Sequence, residues 1–390
     1  MKKLLIGIVL FAGATFAATA QQANINLDWN PQKDTEGLVP FSSRLNSPIV
    51  HDNHTATFKV WAPEAESVAV SGAFLTVLHQ RGPLAMTKGE DGVWSVTTPA
   101  LPVDMYQYNI IIDGVSGADP NNHYAAFTAM PPYSELIIHG DGPQWYDAKD
   151  VPHGAVVRHV YYSKVTKGER EMYVYLPPKY NPKKKYPVLY LMGGSGEMPH
   201  NWIYNGRVNF IMDNLLAEKK AKEMIIAVIN NQVVHRNHPK HADLTFDVMA
   251  RELREVIIPF IDGTYKTIAN PHGRAISGLS MGGRHTMFSG MERCLDLFAN
   301  FGVLSAGDPK PEETMPKFFS DPNVNRKIDY LFVGQGTEEA NNAFNVRVKG
   351  FVDALVSHNI AHEYYVGGHG GHDWSTWRHL LYFEFLPNLF

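Results

Sequence analysis

Apolar and polar positions alternate over short stretches from about Ser47 to Ile138. Thr57-Phe58-Lys59-Val60-Trp61 and Ser67-Val68-Ala69-Val70-Ser71 carry the pattern. Val93-Trp94-Ser95-Val96 follows the turn formers Gly89-Glu90-Asp91-Gly92, and Tyr106-Gln107-Tyr108-Asn109-Ile110 precedes a turn at Asp113-Gly114. Short strands at this spacing predict a β-sandwich, and no part of the segment repeats with helical period. With the polar, irregular stretch from residue 21 to about 45 as its arm, the sandwich unit is assigned to residues 21–140. Residues 141–154, rich in Gly, Pro and Asp, read as a linker.

Beyond the linker the rhythm changes. Glu171 to Leu176 and Tyr186 to Met192 read as strands, the second nearly all apolar, as a strand buried on both faces would be. A helical segment from Phe210 to Lys222 leads to a strand from Met224 to Ile229. Phe246 to Tyr265 places Val248, Leu253, Val256, Ile257, Phe260 and Ile261 on one broad helical face. Further strands are expected at Arg274 to Ser277, Asn300 to Leu304, Tyr330 to Val333 and Glu363 to Val366. This alternation predicts an α/β domain over residues 155–390, with a mostly parallel sheet covered by helices on both faces.

The 390-residue length suits two domains, and a 44% hydrophobic composition can fill both cores. A formal charge of -4, with no run of Lys or Arg, argues against general nucleic-acid binding. At the N-terminus, Lys2 and Lys3 precede an apolar run from Leu4 to about Phe16, and Ala18-Thr19-Ala20 supplies a small-residue cleavage pattern. Residues 1–20 are therefore expected to be a signal peptide cut after Ala20, the run being short of the ~20 residues a spanning helix needs. The mature chain is expected to be secreted, periplasmic or extracellular, with no membrane association. Cys294, the single cysteine, cannot form an intrachain disulfide and is expected to be a buried apolar residue.

Gly278-Leu279-Ser280-Met281-Gly282 matches G-x-S-x-G between an expected strand and an expected helix. A sharp strand-to-helix turn exposes the serine there and needs small neighbours. Ser280 is the candidate nucleophile, and the Met281 amide at the helix start is a candidate oxyanion donor. A serine hydroxyl needs a base, and the base needs an orienting group; in this arrangement the chain order is Ser, acid, His. The loop after Tyr330 to Val333 offers Glu338 and Glu339, and the loop after Glu363 to Val366 offers His369 and His372. Position alone does not choose within either pair. The Gly193-Gly194-Ser195-Gly196 loop should supply the second oxyanion donor, from Gly194 or Ser195. His235, His238 and His241 are spaced like metal ligands, but Pro239 interrupts them and no carboxylate or Cys completes a zinc set. Trp202, Trp374 and the His235 to His241 loop are candidates for lining the substrate pocket.

From Arg170 to Trp377 the chain resembles the feruloyl and acetyl-xylan esterases of carbohydrate esterase family 1, the esterase D-like group. The resemblance rests on Tyr173-Val174-Tyr175-Leu176-Pro177-Pro178, on Arg274-Ala275-Ile276-Ser277 running into the serine motif, and on Gly371-His372-Asp373-Trp374. It implies an α/β-hydrolase fold, with His372 as base and Glu339 as acid. Phe58-Lys59-Val60-Trp61-Ala62-Pro63, Gly92-Val93-Trp94, Tyr106-Gln107-Tyr108 and Asp119-Pro120 resemble carbohydrate-binding module family 48, an immunoglobulin-like sandwich whose members often shape a neighbouring active site. Together these imply a serine esterase that needs no cofactor and acts on feruloylated or acetylated xylan or xylo-oligosaccharide. A siderophore esterase of the enterobactin type is the enzymatic alternative. A glycan-binding protein with a decayed esterase domain is the non-enzymatic one.

Overall fold

The computed structural model describes residues 45–126 and 132–390. The expected signal peptide and most of the N-terminal arm lie outside the described residues.

The first unit is a two-sheet sandwich. One sheet orders Ile49–Val50, Ala56–Trp61, Val93–Thr97 and Thr87–Lys88; the other orders Leu84–Ala85, Val68–Gly72, Asp104–Ile112, Tyr133–Ile138 and Ala125–Ala126, with Val115–Gly117 paired to Asp104–Ile112. Alternation has the expected consequence. Phe58, Val60, Val70, Tyr106, Tyr108, Ile110 and Leu136 point into one core, where Phe58 meets Tyr108 edge-on at 4.8 Å. The intervening residues of these strands face outward. A four-residue helix, Phe74–Val77, departs from the all-strand expectation. Phe74 and Leu75 are buried on it, so core packing rather than length holds it in place.

The second unit is an eight-stranded sheet. Its strands are β1 (Ala155–Ser163), β2 (Gly168–Leu176), β3 (Val188–Met192), β4 (Ile225–Ile229), β5 (Arg274–Leu279), β6 (Asn300–Leu304), β7 (Tyr330–Gln335) and β8 (Glu363–Val366). Their spatial order is β1-β2-β4-β3-β5-β6-β7-β8. β1 and β2 pair antiparallel with each other, as do β2 and β4; every later pairing is parallel. Every residue of β3, β4, β5 and β6 is buried, which is why these strands read as apolar runs. The helix expected over Phe246 to Tyr265 runs from His241 to Thr264 through a π-helical turn at Leu253–Ile257. Cys294 is buried, as expected, with Sγ 3.7 Å from the Ala250 carbonyl.

The segment between the units is not a loose tether. Asn214 Nδ2 donates to the carbonyls of Trp145 and Asp147, both at 2.9 Å. Trp145 packs edge-on against Tyr146 and Phe383 and tilted against Tyr382, and His153 Nδ1 lies 2.8 Å from Asp213 Oδ2. These bonds fasten the turn-rich segment to the hydrolase surface along its length.

Candidate active site

β5 ends at Leu279, and a helix begins at Met281. Ser280 between them has φ 74° and ψ −102°, a conformation L-residues avoid. The turn tolerates it because its neighbours lack side chains. A methyl group on Gly278 would fall 2.5 Å from the Gly282 backbone, and one on Gly282 would fall 2.6 Å from the Gly193 carbonyl oxygen. The Ser280 amide donates to the Leu304 carbonyl at 2.9 Å and the Arg284 amide donates back to the Ser280 carbonyl at 3.0 Å, so both sides of the turn are pinned.

His372 Nε2 lies 2.8 Å from Ser280 Oγ, and His372 Nδ1 lies 2.5 Å from Glu339 Oε1. Glu339 is fully buried, and its second oxygen accepts from Ser305 Oγ at 2.6 Å and from the Gly336 amide at 2.8 Å. With Oε2 occupied twice, Oε1 is left for the imidazole. A carboxylate accepts at Nδ1, so the proton sits there and the Nε2 lone pair faces the serine hydroxyl. Trp377 donates from Nε1 to Ser305 Oγ at 3.0 Å and packs edge-on against His372 at 5.2 Å, while Phe344 covers the same ring at 4.8 Å. Glu338 turns away, its carboxylate 3.8 Å from His79 of the sandwich. His369 also points elsewhere, 2.9 Å from Asp104. Both pairs left open by position are thereby separated in space.

Ser280 and His372 open into a cavity of about 520 Å³. Gly194, Ser195, Glu197, Leu279 and Trp377 line it from the hydrolase unit; Ser71, Gly72, Thr76, Gln107, Asn109 and Tyr133 line it from the sandwich. The sequence resemblance allowed for a sandwich that shapes the site, but no residue was assigned to this second wall from sequence. Ser71 and Asn109 are cross-strand partners on the outward face, and Gln107 is two residues along the same strand. Outward polar residues of a sandwich carry no sign of what they will face.

Gly194 is packed closely: a methyl group there would fall 2.7 Å from Leu279 Cδ1, 3.5 Å from Ser280 Cβ and 3.6 Å from Glu197 Cγ. Met281 is the first helical residue, so its amide has no acceptor one turn back in the helix. Gly194 and Ser195, proposed from sequence as oxyanion donors, thus line the same cavity as the serine, and Met281 follows it directly. Burial lifts the Glu197 carboxyl to about 7. Glu197 Oε2 and Gln107 Nε2 are buried without a hydrogen-bond partner among the described residues.

Trp202 and Trp374 do not line the cavity, which corrects their assignment as substrate-binding residues. They meet edge-on at 5.0 Å, are 0% and 2% exposed, and belong to the hydrolase core. Trp202 donates from Nε1 to the Met192 carbonyl at 2.9 Å, propping the end of β3 from beneath. The His235 to His241 loop is also absent from the cavity wall. Its rings fold the loop itself: His238 Nδ1 accepts from the Lys240 amide and His241 Nδ1 lies 3.1 Å from the Val234 carbonyl.

The comparisons bear on the family and the fold. A family model described as "Putative esterase" matches residues 163–386, and one for carbohydrate-binding module 48 (isoamylase N-terminal domain) matches residues 42–134. The chain is 32% identical over 369 residues to an endo-1,4-beta-xylanase/feruloyl esterase of Xylanibacter ruminicola, covering 90% of this chain and 47% of that protein. It therefore spans about half the length of that relative. A ferulic acid esterase of Anaeromyces mucronatus, solved with ferulic acid, aligns with a TM-score of 0.55 at 26% identity over 64% of this chain and 96% of its own. The enterobactin esterase of Shigella flexneri aligns with a TM-score of 0.63 over 86% of this chain and 92% of its own, but at 14% identity, a likeness of fold alone. The chain belongs to the esterase family: its second unit is related to the feruloyl esterases and is preceded by a carbohydrate-binding module 48 domain.

Proposed function

We propose that this chain is a secreted serine esterase that removes feruloyl groups from plant cell-wall xylan through an acyl-enzyme. The observation that carries the reading is the hydrogen-bonded chain Ser280–His372–Glu339 opening into a cavity large enough for a small aromatic acyl group. Ser280 Oγ attacks the ester carbonyl carbon while His372 Nε2 takes its proton; Glu339 holds the imidazole and stabilises the imidazolium. The Met281 amide, with that of Gly194 or Ser195, supports the oxyanion. The carbon–oxygen bond of the ester breaks, and His372 gives its proton to the departing sugar oxygen, which leaves as the hydroxyl. Water, deprotonated by His372, then attacks the acyl carbon; the bond to Ser280 Oγ breaks, the acid is released and the imidazolium returns its proton to Ser280. The names of the Xylanibacter relative and the Anaeromyces structure support the feruloyl group and its xylan carrier. Secretion rests on the pattern at residues 1–20.

The test is a substrate panel of methyl ferulate, acetylated xylan and a catecholate siderophore ester, run on the wild type and on Ser280→Ala. Methyl ferulate should be turned over fastest, and Ser280→Ala should lose at least about 10⁴-fold in kcat with its fold intact. Retained turnover in that variant removes Ser280 from the mechanism. Preference for acetylated xylan or for the siderophore ester replaces the feruloyl assignment.

A further inference from the structure

The loop that carries His372 is Gly367-Gly368-His369-Gly370-Gly371-His372. Four glycines leave it little side-chain contact of its own and make it costly to order. Thr337 Oγ1 holds the Gly368 carbonyl at 2.8 Å. The Gly367 amide donates to the Gln335 carbonyl at 3.2 Å and the Gly371 amide to Asp373 Oδ2 at 3.1 Å. A further anchor crosses the domain boundary. His369 Nε2 lies 2.9 Å from Oδ2 of Asp104, the first residue of the long sandwich strand Asp104–Ile112, with Ser375 Oγ 3.0 Å from the same nitrogen.

Asp104 grips the far side of His372 as well. Its Oδ1 accepts from Arg378 Nη2, in the helix Trp374–His379 that starts two residues after His372. Arg378 is 1% exposed; it donates to the Asn205 carbonyl at 2.7 Å and to the Met105 carbonyl at 3.2 Å, and its guanidinium lies over the Tyr146 ring. Burial alone would raise the Asp104 carboxyl, but Arg378 and His369 outweigh it and hold the group at about 2. One carboxylate from the sandwich therefore fixes positions 369 and 378, and His372 lies between them.

We propose that Asp104 and His369 form a cross-domain tether that positions His372 against Ser280. The proposal rests on the reading of His372 as the base. Neither residue lines the cavity, so both act through the loop as positioning residues. A displaced base costs rate without costing affinity, and misplacement by about 1 Å can cost about 10²-fold.

Asp104→Asn leaves Arg378 buried beside an uncharged partner and risks unfolding. His369→Asn removes the tether while keeping the Asp104–Arg378 pair, and its partly exposed ring makes the change tolerable. With p-nitrophenyl acetate, His369→Asn should lower kcat by about 10- to 100-fold with KM within twofold of wild type. Where Asp104→Asn folds, the double variant should be no slower than the worse single variant. His79→Asn, removing another cross-domain contact, with Glu338, is the control and should keep its kcat. A wild-type kcat in His369→Asn overturns the tether, as does an equal loss in His79→Asn, which would make the effect one of domain docking in general. Loss of turnover in His369→Asn as deep as in Ser280→Ala would instead make His369 the base and overturn the reading of His372.

Discussion

The two walls of the cleft are built on opposite plans. The hydrolase wall grows from the buried strands β5 and β7 and the exposed edge strand β8, and its reacting groups sit at the ends of these three, each fixed by several hydrogen bonds. The sandwich wall is the outward face of a sheet whose inward face fills the core with Val70, Tyr108 and Ile110. It offers Ser71, Gln107 and Asn109, polar side chains with no reacting geometry among them. The difference teaches a division of labour. One wall performs the chemistry, and the other shapes what may approach it.

The largest effect that would test this division is at Glu339. Glu339→Gln should lower kcat by about 10³- to 10⁴-fold, because the orienting carboxylate is lost while its shape is kept. Glu338→Gln, facing the sandwich, should stay within about threefold. Kinetics on an aryl ester measure both, and the reverse result would move the acid to the other carboxylate.

A smaller effect is expected at Glu197, on the hydrolase wall but without a partner for Oε2 among the described residues. Its carboxyl is raised from 4.5 to about 7 by burial. The folded state then holds a proton that the unfolded chain releases, so the group penalises folding increasingly as pH rises from about 4.5 through 7. Glu197→Gln should match wild-type stability at pH 4 and exceed it at pH 8 by on the order of 2–3 kcal/mol, read from urea midpoints. Equal stability at both pH values would mean the carboxyl is solvated.

The smallest is at Gln107. Gln107→Ala should raise KM for a feruloylated xylo-oligosaccharide by about fivefold, the worth of roughly one hydrogen bond, and leave p-nitrophenyl acetate turnover unchanged. A fall in kcat on the small ester would break the division, because the sandwich wall would then act in the chemistry.

Much of this was legible in the sequence, for physical reasons. Strands Asn300–Leu304 and Glu363–Val366 fall where the apolar runs place them, and the serine motif lies at the strand-to-helix turn its glycines require. β1, over Ala155–Ser163, was missed because it is an edge strand with most of its residues exposed or half-exposed, so its composition is mixed. Trp202 and Trp374 were misplaced because adjacency to a functional loop in sequence says nothing about which face of the loop a ring covers. The tether and the particular residues of the sandwich wall were invisible for a related reason. Asp104 and Arg378 are 274 positions apart, and nothing local to either announces a buried ion pair.

The strand Asp104–Ile112 opens at the tether and passes Gln107 and Asn109 along the cleft. A sequence boundary near residue 140 therefore does not mark a place where the protein can be cut. A fragment starting at residue 155 would keep every reacting group yet leave Arg378 without its counter-ion and the cleft without one side. Exchanging the first domain for that of a relative would transplant a piece of the active site, so chimaeras built at this boundary should be chosen by the residues at positions 104, 107 and 109 rather than by overall likeness.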